Sequence, residues 1–201
     1  MVTNASNDPV FRTKGLTWRG AREFWDQRVP GGTAAVLAAC TPEQRLLLSE
    51  AVLASAWYPV MPIVPITAIA ARLAGVRLDV LVRENAAYIA TRDVNGVYRF
   101  LLSLVSPEIV ALRLGKVSLQ YFDFGSEESR VIEGGVVTLR RGIPAPLADW
   151  MGWCIEGFVP VALAHSGARD VEVREQSRSS DGVRGRVPLV AVDIRMRWTT
   201  A

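Results

Sequence analysis

The stretch WYPVMPIVPI, from Trp57 to Ile66, lies inside a charge-free run from Ala51 to Ala71, with Glu50 and Arg72 at its borders. As a helix, a run of roughly 20 apolar residues would span a bilayer. Pro59, Pro62 and Pro65 argue against that reading. Each removes an amide donor and clashes with the preceding turn. Three of them spaced by three would leave several backbone groups unsatisfied in lipid. The spacing predicts helix, break, helix: a first helix ending near Trp57 and Tyr58, and a second opening at Pro62 or Pro65 and running to Gly75. Too few polar positions exist to make an outer face, so both pieces belong to a core and no transmembrane segment is expected.

The 201 residues suffice for one domain with a substantial core. Half are apolar and 21% are charged, as in a folded globular protein. The net charge is +3, carried almost wholly by arginine, since Lys14 and Lys116 are the only lysines. Acidic residues are interspersed with the basic ones, whereas nucleic-acid binding needs clustered positive charge. No nucleic-acid partner is expected. Cys40 and Cys154 lie far apart, and the polar start MVTNASNDPVFRTKG has no secretory character. Free thiols in a reduced cytoplasmic protein are the simplest reading.

Outward from the opening stretch, residues 1–13 read as a flexible leader and 14–201 as a single domain. Thr17 to Arg28 has helical spacing, with Ala21, Phe24, Trp25 and Arg28 on one face, and Pro30-Gly31-Gly32 stops it. Thr33 to Ala39 reads as a second short helix. TPEQ at 41–44 carries the marks of a capping box, opening a helix expected to reach about Trp57. Asp79 can cap a helix that runs to about Val94, and VYRFLLSLV (97–105) reads as another. SPEI at 106–109 starts one that ends near Gln120.

The pattern then changes. Gly134-Gly135 between RVIE and VVTLRR signals a hairpin. A long helix is expected at about 146–166, with Pro160 inside it and Gly167 as its cap. VEVRE reads as a strand, SRSSDGVRG as a flexible turn, and LVAVDIRMRW as the clearest strand, with Val190, Val192, Ile194, Met196 and Trp198 on one face. The fold class is therefore α+β: a helical first half packed on a small antiparallel sheet of about four strands from the second half.

Chemistry is sparse. There is no phosphate loop, dinucleotide fingerprint or nucleophile elbow. A single histidine, His165, excludes a His-pair metal site; near a helix C-terminus it faces the negative end of the dipole. Neither cofactor, metal nor catalytic residue is expected. Glu127-Glu128 and Arg140-Arg141 flank the hairpin and read as solvated surface. Arg174, Arg178, Arg184 and Arg186 are diluted by Glu172, Glu175 and Asp181. What remains is aromatic clustering at segment junctions. Trp57, Tyr58, Tyr121, Phe122, Trp150, Trp153 and Cys154 are the candidate ligand-binding residues, with core packing as the plain alternative. Pockets for small molecules are apolar with a few polar groups, and Tyr58 and Tyr121 would orient the ligand.

KGLTWRGAREFW, SAWYPV, GVYRFLLSLVSPEIVALRL, LQYFDFG and VDIRMRW together resemble a large myxobacterial paralogous family of uncharacterised proteins, over about Lys14 to Trp198. More remotely, the second half is similar to vinyl-reductase-type sensor domains and the TRAPP-like fold, with Cys154, Gly157, Leu163 and Gly167 in their helix pattern. That resemblance implies helices on a four-stranded antiparallel sheet. It also implies either a small-molecule sensing cavity or a protein-docking module, often dimeric. The sensors' cysteine cluster for zinc is missing here. So is the helical-region histidine of the superfamily's haem-binding relatives. The expectation is a non-enzymatic binding or sensor domain for a small apolar ligand, acting in signalling. The alternative is a homodimeric interaction module without ligand.

Overall fold

The computed structural model describes residues 11–49, 51–94 and 105–200. In chain order the elements are β1 (Arg12–Lys14), α1 (Gly15–Arg28), α2 (Gly32–Ala39), α3 (Pro42–Ser49), β2 (Trp57–Pro59), α4 (Ile63–Leu73), α5 (Leu78–Val94), α6 (Pro107–Tyr121), β3 (Ser126–Ile132), β4 (Gly135–Pro144), α7 (Ala148–Ala164), β5 (Ala168–Arg184) and β6 (Val187–Thr200). A 3-10 turn, Ala145–Leu147, leads into α7. The four-stranded sheet has the order β3-β4-β6-β5 and is antiparallel throughout. The α+β expectation holds: helices from the first half, with α7, cover this sheet. The helix expected at 97–105 falls largely outside the described residues.

The proline-rich stretch breaks as its spacing requires, but the first piece is not helical up to Trp57. Helix α3 ends at Ser49, and Trp57–Pro59 forms strand β2, paired with β1. The residue before a proline is driven to extended backbone, which suits Tyr58. A proline is tolerated on an edge strand, which suits Pro59. The loop before β2 has a second job. The amides of Gly15 and Leu16, at the start of α1, donate to the carbonyls of Ala56 (2.8 Å) and Ala54 (3.0 Å). Two of the donors that a helix start leaves unpaired are satisfied in this way. The second piece is α4, whose buried residues Ile63, Ile66, Thr67, Ala70 and Ala71 form one helical stripe.

The capping box at the start of α3 forms in both directions. The Thr41 amide donates to Gln44 Oε1 (3.0 Å), and the Gln44 amide to Thr41 Oγ1 (3.3 Å). Of the expected leader, residues 1–10 lie outside the described residues, while Phe11 and Thr13 are buried. Thr13 Oγ1 donates to the Tyr121 carbonyl (2.9 Å), and Asp123 accepts from both the amide and Nε of Arg12. The chain after α6 is thereby pinned to β1.

SRSSDGVRG does not form a flexible turn. It continues β5 as far as Arg184, and only Gly185 and Arg186 connect it to β6. Pairing with β6 supplies the backbone partners that its polar composition does not announce, and three register shifts absorb the extra residues. On the covered face of the sheet, Val192, Ile194, Met196 and Trp198 of β6 are buried beside Val136 and Thr138 of β4.

Helix α7 is apolar enough, with the preceding turn, to cross a membrane by length and composition. Here it packs along α5 and over β5. The α5–α7 approach is so close that a Cβ on Gly157 would collide with the Arg83 carbonyl oxygen, whereas nothing lies within 4 Å of a Cβ on Gly152. Gly157→Ala is therefore expected to destabilise the protein by about 1–3 kcal/mol through overpacking. Gly152→Ala, on the same helix, should stabilise it by about 0.5–1 kcal/mol through helix propensity. Urea unfolding of the two variants checks the contrast.

Candidate functional site

A cavity of about 160 Å³ lies between α1, α4 and α5 on one side and α6, α7 and the inner face of the sheet on the other. Its wall is mostly aliphatic and aromatic: Ile63 from α4, Ala86 and Ile89 from α5, Leu114 and Val117 from α6, Ile155, Phe158 and Val159 from α7, and Ile194 and Met196 from β6. Helix α4 turns its apolar stripe inward, and β6 its buried face.

The candidate aromatic residues divide into two groups. Tyr121, Phe122, Trp150 and Cys154 line the cavity, and the rings of Phe122 and Trp150 meet edge to face at 6.3 Å. Trp57, Tyr58 and Trp153 do not line it. Trp57 is 37% exposed, with Lys14 Nζ 4.0 Å above its ring. The Tyr58 hydroxyl accepts the Leu53 amide at 3.0 Å, holding the loop before β2. Trp153 packs against the edge of the core.

Glu127 and Arg140, read from sequence as solvated, are instead buried in the cavity wall. Their side chains are 10% and 12% exposed and form an ion pair at 3.2 Å. They are direct partners in the β3–β4 register, on the covered face of the sheet. Gly115 of α6 makes this possible, because a Cβ there would collide with the Glu127 carboxylate. Arg140 Nη2 donates to Ser118 Oγ, and Thr138 Oγ1 shares a 2.9 Å hydrogen bond with Ser129 Oγ. Burial pushes the Glu127 carboxyl up, against the pull of Arg140. It pushes Arg140 down, against Glu127, though a guanidinium stays charged in a protein. The hairpin register was the signal that could have found this pair, because a turn at Glu133-Gly134 sets Glu127 opposite Arg140.

Two further groups on the wall are held neutral. Burial raises the Cys154 thiol well above its ordinary range, with Arg140 opposing only in part. The Tyr121 phenol donates to Asp93 Oδ2 at 2.9 Å, and burial together with that carboxylate raises it strongly. Among the described residues there is no group of His, Cys, Asp and Glu placed to hold a metal ion.

No protein-family model matches the chain, and no curated protein does. Solved structures do. The Fe(II) unliganded H-NOX protein from K. algicida superposes with a TM-score of 0.65 at 10% identity, over 94% of this chain and 97% of that one. The fold is shared with H-NOX domains. An oxygen-binding H-NOX domain related to soluble guanylate cyclases matches at 0.61 and 11% identity, over 92% and 93% of the two chains. An H-NOX structure solved to probe haem distortion matches at 0.63 and 10%, over 93% and 94%.

The residues of this cavity do not fit a haem. Haem iron is held by His, Cys thiolate, Tyr, or a Met paired with a His; Met151 and Met196 line the cavity, and no histidine lines it beside them. The one histidine, His165, caps the C-terminus of α7 and does not line the cavity. The Tyr121 phenol is committed to Asp93, which leaves Cys154 as the one thiol on the described wall. The two propionates of a haem need cations, and Arg140, the one basic residue among the described residues of the wall, is already paired with Glu127. A volume of about 160 Å³ also falls below the roughly 300–1,000 Å³ of sites that enclose even a drug-sized molecule.

Removing one partner of the buried pair should show how far it governs this wall. Glu127→Leu alone leaves Arg140 buried and unpaired, and should cost about 3–5 kcal/mol. The double variant Glu127→Leu/Arg140→Met should recover most of that loss. Denaturant unfolding of the single and double variants gives the comparison directly.

Proposed function

We propose that this protein is a non-enzymatic binding domain that senses a small apolar molecule in signalling, without haem. The observation that carries this reading is the apolar cavity between α5, α7 and the sheet, with Tyr121, Phe122, Trp150 and Cys154 on its wall. Its volume of about 160 Å³ compares with the roughly 150 Å³ of an engineered apolar cavity that stays dry and binds benzene. A one-ring molecule or a short branched chain is the ligand of matching size. The shared fold supports the sensor part, since one structure with that fold is an oxygen-binding domain related to soluble guanylate cyclases. The unfitting donor set for haem supports the remainder: this chain keeps the scaffold and uses the space between its layers for an organic ligand.

Among the described residues, the inward-facing wall carries no free charged group and no activated nucleophile. Its one ion pair is internally neutralised, and its thiol is protonated. Such a wall binds by excluding water from apolar surface, at roughly 25 cal/mol per Å², and performs no proton or group transfer. Toluene is a probe of the right size. It should raise the midpoint of thermal unfolding in a concentration-dependent way, as any ligand selective for the folded state does. Ala86→Leu, which fills the space from α5, should abolish that effect and leave the protein folded. Toluene stabilising Ala86→Leu as much as the parent, or stabilising neither, would reject the cavity as the binding site.

A further inference from the structure

Four buried side-chain polar atoms lack a hydrogen-bond partner among the described residues: Nε1 of Trp18, Nε1 of Trp25, Nε of Arg195 and Oδ1 of Asn85. Asn85 is the one of these four residues that lines the cavity. Asn85 stands on α5 in the cavity wall with Ala86 and Ile89, and its Oδ1 is buried with no described donor to pair with it. Native interiors satisfy nearly all buried polar groups, so an unpaired one calls for a missing partner. Oδ1 is an acceptor, so the missing partner is a donor.

We infer that the ligand of this cavity is a small apolar molecule carrying one neutral hydroxyl, of the phenol or short-alcohol class, and that Asn85 is the residue that recognises that hydroxyl. This rests on reading the cavity as a ligand site. Neutrality follows from the rest of the wall. A carboxylate ligand would have to take Arg140 from Glu127, and an ammonium ligand would have to take Glu127 from Arg140. Breaking a buried pair in that way leaves an uncompensated charge. Asn85 Oδ1 asks for a donor and not for a charge, and a hydroxyl supplies a neutral one. Size follows from the volume, which admits a single ring with one small substituent.

Calorimetric titration of the whole chain with phenol and with its near-isostere toluene tests the inference. One hydrogen bond to a neutral group makes phenol about three- to tenfold the tighter ligand. In Asn85→Leu that preference should vanish while toluene binding persists. Should that variant not fold, the side-chain amide resonances of Asn85 in ¹⁵N-labelled parent protein replace it, and they should shift with phenol and not with toluene. Equal affinities for phenol and toluene in the parent, a preference that survives Asn85→Leu, or a silent Asn85 amide would each overturn the inference and leave the cavity reading standing. Benzoate binding more tightly than phenol would overturn it too, by making Arg140 the recognising group. Binding of none of the three would reject the cavity reading itself.

Discussion

Glu127 and Arg140 face one another across the β3–β4 hairpin, on the side of the sheet turned toward the helices. Two charges taken out of water need excellent mutual geometry and further hydrogen bonds, and their neighbours provide both. Gly115 leaves the space above the carboxylate, and Ser118 accepts from the guanidinium. The hairpin register, the seat of α6 on β3 and the polar corner of the cavity are therefore one arrangement. Because each charge satisfies the other, the wall presents no free ion to a ligand. That decides what the space between the layers can hold.

The sequence made the architecture legible where local chemistry and tertiary demand agree. TPEQ forms its capping box, Ser106-Pro107 opens α6, and the alternation of LVAVDIRMRW puts Val192, Ile194, Met196 and Trp198 inward. The proline spacing correctly broke the apolar run. It hid a strand, because Trp57–Pro59 takes its structure from pairing with β1, a partner more than forty residues away. SRSSDGVRG was misread for the same reason. Its polar side chains face solvent on an edge strand, and only pairing with β6 makes it a strand.

The site was legible in part. Tyr121, Phe122, Trp150 and Cys154 sit near segment junctions that converge on the cavity. Trp57, Tyr58 and Trp153 look identical in sequence, but they brace a loop or the edge of the core. Nothing in residue type separates an aromatic that packs from one that lines a space; the register of each helix against its neighbour does. Asn85 carried no local signal at all, since an asparagine in a helix is ordinarily solvated, and α5 places this one in the cavity wall. Glu127 and Arg140 were hidden by composition, because paired acidic and basic residues beside a turn read as surface.

The likeness to H-NOX structures is one of fold at 10–11% identity. On the function proposed above, this scaffold would hold a small organic ligand in place of haem. Titrating the purified protein with haemin, followed by gel filtration and an absorption spectrum, tests it most directly. The protein should elute without a stoichiometric Soret band. A one-to-one haem complex that survives filtration would contradict it.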